Sequence, residues 1–336
     1  MSVVLTGSIA YDYIMSFPGF FQDHILPEKI HEISVSFLVD SMKKQRGGIA
    51  TNIAYNLALL GERPKIMATV GEDFEDYRRW LELHYIDTSA IIAIPNEFTA
   101  SFFVSTDKRQ NQIASFYTGA MAHAKLVSFK DHINGGIELA VISPNDPDAM
   151  VQYVRECKAL DIPYIYDASQ QIIRLDGAAL KEGCSGSKMI MLNDYELSML
   201  QNKTGWTQEE IAAQTETLIV TYGENGSNIT HAGTTIHIPV AAPRQSGEPT
   251  GAGDAYRAGI IKGMMHQLSW AFTGRLGSLA ATYALEQYGT QNHRYDLSEF
   301  IARFKQEFGE WEELTIYPNL SRALNKNSEN GRNLKS

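Results

Sequence analysis

Cysteine is scarce in this chain: of 336 residues only Cys157 and Cys184 are cysteines. Two cysteines without metal-ligand spacing argue against a disulfide framework and favour a reducing compartment. The sequence also has no apolar run long enough to span a bilayer. Its first residues lack the basic segment and the long apolar stretch of a signal peptide. We therefore expect a soluble, cytoplasmic protein.

Basic residues are also few, with 29 lysines and arginines against 39 acidic residues and a formal net charge of −10. This balance argues against nucleic acid or an anionic membrane as a partner. A small phosphate-bearing ligand stays compatible with it, because backbone N–H groups can bind an anion within an acidic protein. The nine histidines show no metal-binding pattern. We expect small-molecule partners, no nucleic acid and no membrane.

Short apolar runs alternate with helical patterns over most of the chain. Ile49, Ile53, Leu57 and Leu60, for example, recur on one face of a predicted helix. Nearly continuous apolar strands separated by helices indicate an α/β fold with a parallel sheet covered on both faces. Ligands bind such sheets at the carboxyl ends of the strands. The predicted strands span 3–7, 65–71, 139–143, 164–167, 189–193 and 218–221.

Two segments break this rhythm, residues 9–46 and residues 91–118. The first is irregular and aromatic, and the second contains two strand-like runs around a polar turn at 106–111. We expect them to form a small antiparallel β lid packed over the sheet edge; the alternative is an extension of the main sheet. The predicted organisation is one domain over residues 1–324 and a flexible tail over 325–336.

The segment Thr-Gly-Ala-Gly-Asp at residues 250–254 precedes an apolar helical run. The free N–H groups of Gly251, Ala252 and Gly253 at a helix start would bind a phosphate. Asp254 is either a candidate catalytic base, or a residue that only caps the helix or complements its dipole. Capping does not require Gly-x-Gly, which favours the catalytic interpretation. No Gly-Lys-Ser/Thr follows and a third glycine is absent, so the segment is neither a P-loop nor a dinucleotide fingerprint.

Two further segments suit a substrate with hydroxyl groups. Gly47 and Gly48 precede a helix that carries Asn52, and an amide side chain can both donate to and accept from a hydroxyl. The alternative is a glycine turn in which Asn52 bonds the nearby backbone. Asp12 follows the first predicted strand, where its carboxylate could accept from two vicinal hydroxyls or simply lie in solvent.

Polar residues also follow two later strands. Asn193 and Glu196 could position Mg²⁺ and its waters beside ATP phosphates, or they form a capping box at a helix start. Thr221, Gly223 and Gly226 follow the next strand and could line a nucleotide. A plain turn explains that segment nearly as well.

Together these segments resemble the ribokinase/PfkB family of sugar and nucleoside kinases, in the expected order along almost the whole chain. Residues 47–52 are similar to the first family signature, and residues 250–254 to the second, more specific one. Residues 193–196 match the family's Asn-x-x-Glu motif, and Asp12 stands where the family has a hydroxyl-binding acid. Glu248 occupies a position that the family usually fills with Asp, so the resemblance does not decide whether a monovalent cation binds nearby.

The resemblance implies a ribokinase-like, doubly wound, mainly parallel sheet flanked by helices with a small β lid. It also implies ATP as co-substrate and Mg²⁺ as cofactor. Asp254 would be the general base, beside the N–H groups of residues 251–253, and Glu196 with Asn193 would orient Mg²⁺ through water. The implied substrate residues are Asp12, Gly48 and Asn52 for the sugar hydroxyls, and Phe102 and Phe116 on the lid.

Within the family the chain looks most like the adenosine (nucleoside) kinase branch. The suggestive pieces are residues 37–40, Tyr256 with Arg257, and residues 289–293. The expected reaction is phosphorylation of the 5′-hydroxyl of a nucleoside, adenosine to AMP in purine salvage. The alternatives are a kinase of a free sugar or another nucleoside, and a non-catalytic ligand-binding regulator. A monomer and a lid-mediated homodimer are both compatible with the sequence.

Overall fold

The computed structural model describes residues 2–25, 31–32, 34–132, 136–245, 247 and 249–315. The predicted tail at 325–336 and the departure at Glu248 lie outside these residues. Within them, no helix is both long and apolar enough to cross a membrane.

A nine-stranded sheet forms the centre of the molecule, in the order β13-β12-β11-β10-β9-β8-β1-β4-β5. The strands from β11 to β5 are parallel, and the hairpin β12–β13 adds an antiparallel edge. The strands are β1 Val3–Thr6, β4 Lys65–Val70, β5 Asp87–Ala93, β8 Leu139–Ile142, β9 Tyr164–Tyr166, β10 Ser187–Asn193, β11 Thr215–Thr221, β12 Ser227–His231 and β13 Thr234–Ile238.

Helices cover both faces of this sheet, and several begin at a side-chain cap. Asp146 accepts a hydrogen bond from the backbone of Ala149 at the start of α3, where proline occupies the first turn. The helices are α1 Ile49–Leu59, α2 Glu75–Leu83, α3 Pro147–Ala159, α4 Gly177–Cys184, α5 Asp194–Thr204, α6 Gln208–Ala212, α7 Ala252–Met265, α8 Trp270–Leu285 and α9 Leu297–Phe308.

Two large core clusters pack on the sheet, one on each face, and a further cluster joins α8 and α9. Strand β1 shows the division: Val3 and Leu5 belong to the cluster that contains residues of α1 and α7, whereas Val4 belongs to the cluster with residues of α3. Successive side chains of a strand point to opposite faces, so a strand buried on both faces is apolar throughout. The prediction of an α/β fold with a mainly parallel sheet is confirmed.

A separate sheet of four strands, called here the small sheet, comes from the two segments that interrupt the rhythm of the sequence. Its order is β3-β2-β6-β7. Its outer pairs are antiparallel, but β2 and β6 are parallel, because each continues the chain from the carboxyl edge of the large sheet, after β1 and β5. The expectation of a wholly antiparallel lid is therefore wrong. Residues 91–93 belong to β5 in the large sheet, so that segment was predicted to begin too early. The strands are β2 Ala10–Ser16, β3 Ser41–Gly47, β6 Ala100–Thr106 and β7 Gln112–Tyr117.

Candidate active site

Two glycine-led helix starts meet at the carboxyl edge of the large sheet. Gly48 precedes α1 with a φ of 97°, and a Cβ there would lie 2.6 Å from the backbone nitrogen of Ala10. Only glycine fits this close approach without strain. Gly251 precedes α7, also in the left-handed region with a φ of 84°. Asp254 is therefore the third residue of α7, in its first turn.

Asn52 joins the two helices directly. Its Nδ2 donates to Oδ2 of Asp254 over 2.8 Å, and its Oδ1 accepts from Nε2 of Gln291 over 2.7 Å. The Gln291 amide also donates to the Tyr77 hydroxyl over 2.7 Å. These side chains are buried, Asp254 being 8% and Asn52 4% exposed. Asn52 therefore orients Asp254, and the sequence did not predict this contact. The second hydrogen of the Asn52 Nδ2 group can be donated to a ligand.

Asp254 has a second neighbour in Arg257, one turn further along α7. Nη1 of Arg257 lies 3.6 Å from Oδ1 of Asp254. The same guanidinium donates from Nη2 to Oδ1 of Asp167 over 2.9 Å. Its Nε is 2.5 Å from Oδ2 of Asp167, outside hydrogen-bond geometry, and so makes a close electrostatic contact only. Asp167 follows β9 at the carboxyl edge and is fully buried.

Burial dominates the electrostatics of this group. It raises the pKa of Asp254 above the usual range of a carboxyl, against the lowering effects of the Arg257 charge and the Asn52 hydrogen bond. Burial likewise raises the pKa of Asp167 to about 6, although Arg257 again opposes it. The carboxylate of Glu196 raises both pKa values further. A buried carboxyl with a raised pKa is better matched to proton transfer near neutral pH than a solvated one.

Sequence reasoning named neither Asp167 nor the ion pair of Arg257 as part of the site. A signal existed for each, because Asp167 ends an apolar strand and Arg257 follows Asp254 by three residues on a helix.

The start of α7 can bind an anion through its N–H groups. Ala255 is the residue whose N–H first bonds within the helix, to the carbonyl of Gly251 over 3.0 Å. The N–H of Ala252 donates to the carbonyl of Pro249 over 3.1 Å. The predicted phosphate cradle at residues 251–253 therefore requires Ala252 to share or break that turn bond, whereas Gly253 lies in the first turn without this competition.

One row of side chains crosses the small sheet in register. Gln45, Asp12, Phe102 and Phe116 are successive partners on its four strands, so they share one face. The Asp12 carboxylate lies against Gly47, where any Cβ would collide with it. Phe102 is half-buried and Phe116 is 47% exposed. The predicted acid and the predicted aromatic pair thus occupy the same surface.

Asn193 and Glu196 form a reciprocal capping box at the start of α5. Oδ1 of Asn193 accepts from the backbone of Glu196 over 2.7 Å, and Oε2 of Glu196 accepts from the backbone of Asn193 over 2.8 Å. Oε1 of Glu196 accepts from the hydroxyl of Ser169 over 2.7 Å. The capping alternative is what the contacts show. Since a carboxylate has about four lone-pair positions, Glu196 can still accept from a metal-bound water.

Thr221 and the two glycines that follow it lie beside this cap. Thr221 pairs with Asn193 in register at the ends of β11 and β10. Gly223 and Gly226 have positive φ values of 57° and 81° and close the tight turn into β12. Their glycine identity is explained by the turn. Thr221 and Asn193 share the carboxyl edge with Asp167.

These features define a class of protein: an α/β enzyme with a buried carboxylate at a helix start, at the sheet edge where ligands bind. The pfkB family carbohydrate kinase model matches residues 9–296, and the chain belongs to this family. It is a phosphotransferase that acts on a hydroxyl group and uses ATP.

The chain is similar to several nucleoside kinases. That of Methanothermobacter thermautotrophicus is 28% identical over 310 residues, which cover 91% of this chain and 96% of that protein. The structure of Burkholderia thailandensis nucleoside kinase in complex with inosine has a TM-score of 0.82 and 36% identity, covering 92% of this chain and 98% of the other. For Methanocaldococcus jannaschii nucleoside kinase the values are 0.81 and 26%, with 91% and 98% covered.

Proposed function

We propose that this protein transfers the γ-phosphoryl group of ATP to the 5′-hydroxyl of a nucleoside, with adenosine as the preferred acceptor. The observation that carries the proposal is the buried Asp254 carboxylate, held by Asn52 at the start of α7. The similarity to nucleoside kinases from three organisms supports the acceptor class. The inosine bound to the Burkholderia enzyme makes inosine the second acceptor to test.

Asp254 acts as the general base in this proposal. Its carboxylate takes the proton of the acceptor hydroxyl as that oxygen attacks the γ-phosphorus, and ADP leaves with the electrons of the broken P–O bond. The N–H groups at residues 251–253 stabilise the charge on the transferring phosphoryl group. General-base assistance of this kind is worth about 10²–10⁴-fold in rate.

Asp12, Gly48 and Asn52 hold the sugar hydroxyls and aim the primary hydroxyl at the phosphorus. Gly48 lets the backbone approach the ligand, and Asn52 contributes the free hydrogen of Nδ2 while it orients Asp254. Phe102 and Phe116, in register with Asp12, cover the bound nucleoside and offer aromatic faces to its base.

Asn193, Thr221, Gly223 and Gly226 lie on the nucleotide side of the site in this proposal. Mg²⁺ fits the residues here only as a hydrated ion. Within the described residues, no group of three or more histidine, cysteine or acidic side chains could hold a metal. Mg²⁺ commonly keeps several waters and binds one or two carboxylates together with substrate phosphates. Glu196 would hold it through water, and the ion would neutralise charge on the phosphates.

A screen of phosphoryl acceptors with Mg-ATP tests the function. We expect ADP formation and a nucleoside 5′-monophosphate with adenosine, a lower kcat/KM with inosine, and little transfer to ribose or fructose 6-phosphate. A preference for ribose would favour the sugar-kinase alternative. Nucleoside binding without ADP formation would favour a regulator, which the presence of both Asp254 and Glu196 makes the weaker hypothesis. A cytoplasmic location and the choice between monomer and homodimer stay predictions.

A further inference from the structure

The guanidinium of Arg257 lies between the buried carboxylates of Asp167 and Asp254 and is closer to that of Asp167. It hydrogen-bonds Asp167 over 2.9 Å, whereas its nearest approach to Asp254 is 3.6 Å. Both acids are buried, and the Arg257 side chain is only 13% exposed. Among the described residues, no other cationic nitrogen lies within 4 Å of either carboxylate. One cation is therefore divided between two anions.

Two other side chains act on Asp254, and neither of them is a cation. Asn52 on α1 supplies a neutral donor to Oδ2. Glu196 on α5 adds a further negative charge, which raises the pKa of Asp254. With Asn52 on Oδ2, Oδ1 is the oxygen that either Arg257 or the proton of a hydroxyl can occupy.

We propose that Asp167 is a positioning residue that holds Arg257 on its own carboxylate and so keeps Oδ1 of Asp254 open for the acceptor proton. The inference rests on the proposed function and adds a role for Asp167, to which that function assigns none. In the transfer step, the O–H bond of the acceptor breaks, its proton moves to Oδ1, and the oxygen bonds the γ-phosphorus as ADP departs.

The separation of Arg257 from Asp254 matters because a carboxylate in a full ion pair with arginine is a poor base. An arginine in direct contact lowers the pKa of an aspartate by about 1–3 units and occupies the lone pairs that must accept the proton. At its present distance Arg257 still favours the ionised form, without a hydrogen bond to Oδ1. Asp167 thus keeps Arg257 close enough to favour the ionised form of Asp254, and far enough away to leave Oδ1 able to accept a proton.

The test is the pH dependence of kcat/KM in four variants, with folding checked by circular dichroism. In Asp167→Asn, Arg257 shifts onto Asp254, so the acid limb moves down by about 1 pH unit and the plateau rate falls. Arg257→Gln removes the one cation that lies within 4 Å of Asp254 in the described part of the chain, so the acid limb moves up. Arg257→Lys keeps the charge and moves the limb back toward the wild-type position.

Glu286→Gln is the matched control. It removes the carboxylate from another buried arginine pair, in which Arg303 lies 2.6 Å from Glu286, away from Asp254. We expect lower stability and an unmoved acid limb. An acid limb that stays unmoved in Asp167→Asn, or shifts in the same direction in Asp167→Asn and Arg257→Gln, would overturn the proposal and reduce Asp167 to a structural role.

A readout without turnover separates this inference from the proposed function. Because the pKa of buried Asp254 is raised, its ionisation lowers stability as pH rises toward that pKa. The contribution is measured as the difference in thermal unfolding between each protein and the same protein with Asp254→Asn. The fall ends at the folded-state pKa, so we expect it to be smaller and to end at lower pH in Asp167→Asn; a fall of the same size that ends at the wild-type pH would refute the inference even in an inactive enzyme.

Discussion

The hydrogen bond from Asn52 to Asp254 is the contact whose loss has the most specific consequence. Asn52→Leu keeps the approximate volume of the side chain and removes the 2.8 Å donor to Oδ2. A hydrogen bond to a charged group contributes about 1.5–3 kcal/mol. Because this hydrogen bond stabilises the ionised carboxylate, its loss should raise the pKa of Asp254 further.

The assay is the pH dependence of kcat/KM with Mg-ATP and a nucleoside. On the acid side of the profile, Asn52→Leu should be about 10–100-fold slower than the wild-type protein, and much of the loss should recover as the pH rises. The direction follows from the base hypothesis: a higher pKa leaves less Asp254 ionised at a given acidic pH. Any contact of Asn52 with the sugar adds a loss that pH does not restore.

Asn56→Leu is the control, since Asn56 is a buried amide one turn further along α1. Its Oδ1 is 2.8 Å from Nε2 of His293, and its Nδ2 donates to the carbonyl of Asn52 rather than to Asp254. Both variants should lose stability, and only Asn52→Leu should shift the acid limb. A loss of rate that is independent of pH in Asn52→Leu, or equal limb shifts in the two variants, would refute the reasoning.

Three further predictions concern stability, measured by thermal or denaturant unfolding. Glu62→Gln should cost about 3–5 kcal/mol, because Glu62, whose side chain is only 12% exposed, is the shared partner of Lys262 and His266. Hydrogen bonds and charges from these two side chains lower the pKa of Glu62 to about 2, so its contribution should fade only as pH drops below about 4.5. A cost below about 1 kcal/mol would contradict the assignment. Burial lowers the pKa of His293 to about 4, so the wild-type protein should lose up to about 3 kcal/mol as pH falls from about 6.5 to 4, a loss that His293→Gln should remove. Gly48→Ala should destabilise the protein by more than about 1 kcal/mol, and an unchanged melting temperature would refute the close approach to Ala10.

The parts of the fold that depend on local pattern were predictable from sequence. The apolar strands and the helix at residues 49–60 are confirmed because burial on both faces of a sheet leaves a continuous apolar run. The parallel pairing of β2 with β6 was not predicted, because it depends on where the chain leaves the large sheet. The capping box of Asn193 and Glu196 is a local pattern that sequence reasoning had weighed as an alternative to metal binding.

The contacts that build the candidate site were beyond local reasoning. Asn52 and Asp254 are 202 residues apart, and Arg257 and Asp167 are 90 apart. Sequence could place each helix start at the sheet edge, but not which side chains would touch there. The role of Asn52 as a donor to Asp254, and the ion pair of Asp167 with Arg257, therefore emerge only from the tertiary structure.

The turnover of Asp254→Asn tests the central claim most directly. The substitution keeps the shape of the side chain and removes the carboxylate that would take the proton. With Mg-ATP and saturating adenosine, we predict a loss of at least about 10²-fold in kcat and nearly unchanged nucleoside binding by calorimetry. Unchanged turnover in this variant would contradict the assignment of Asp254 as the base.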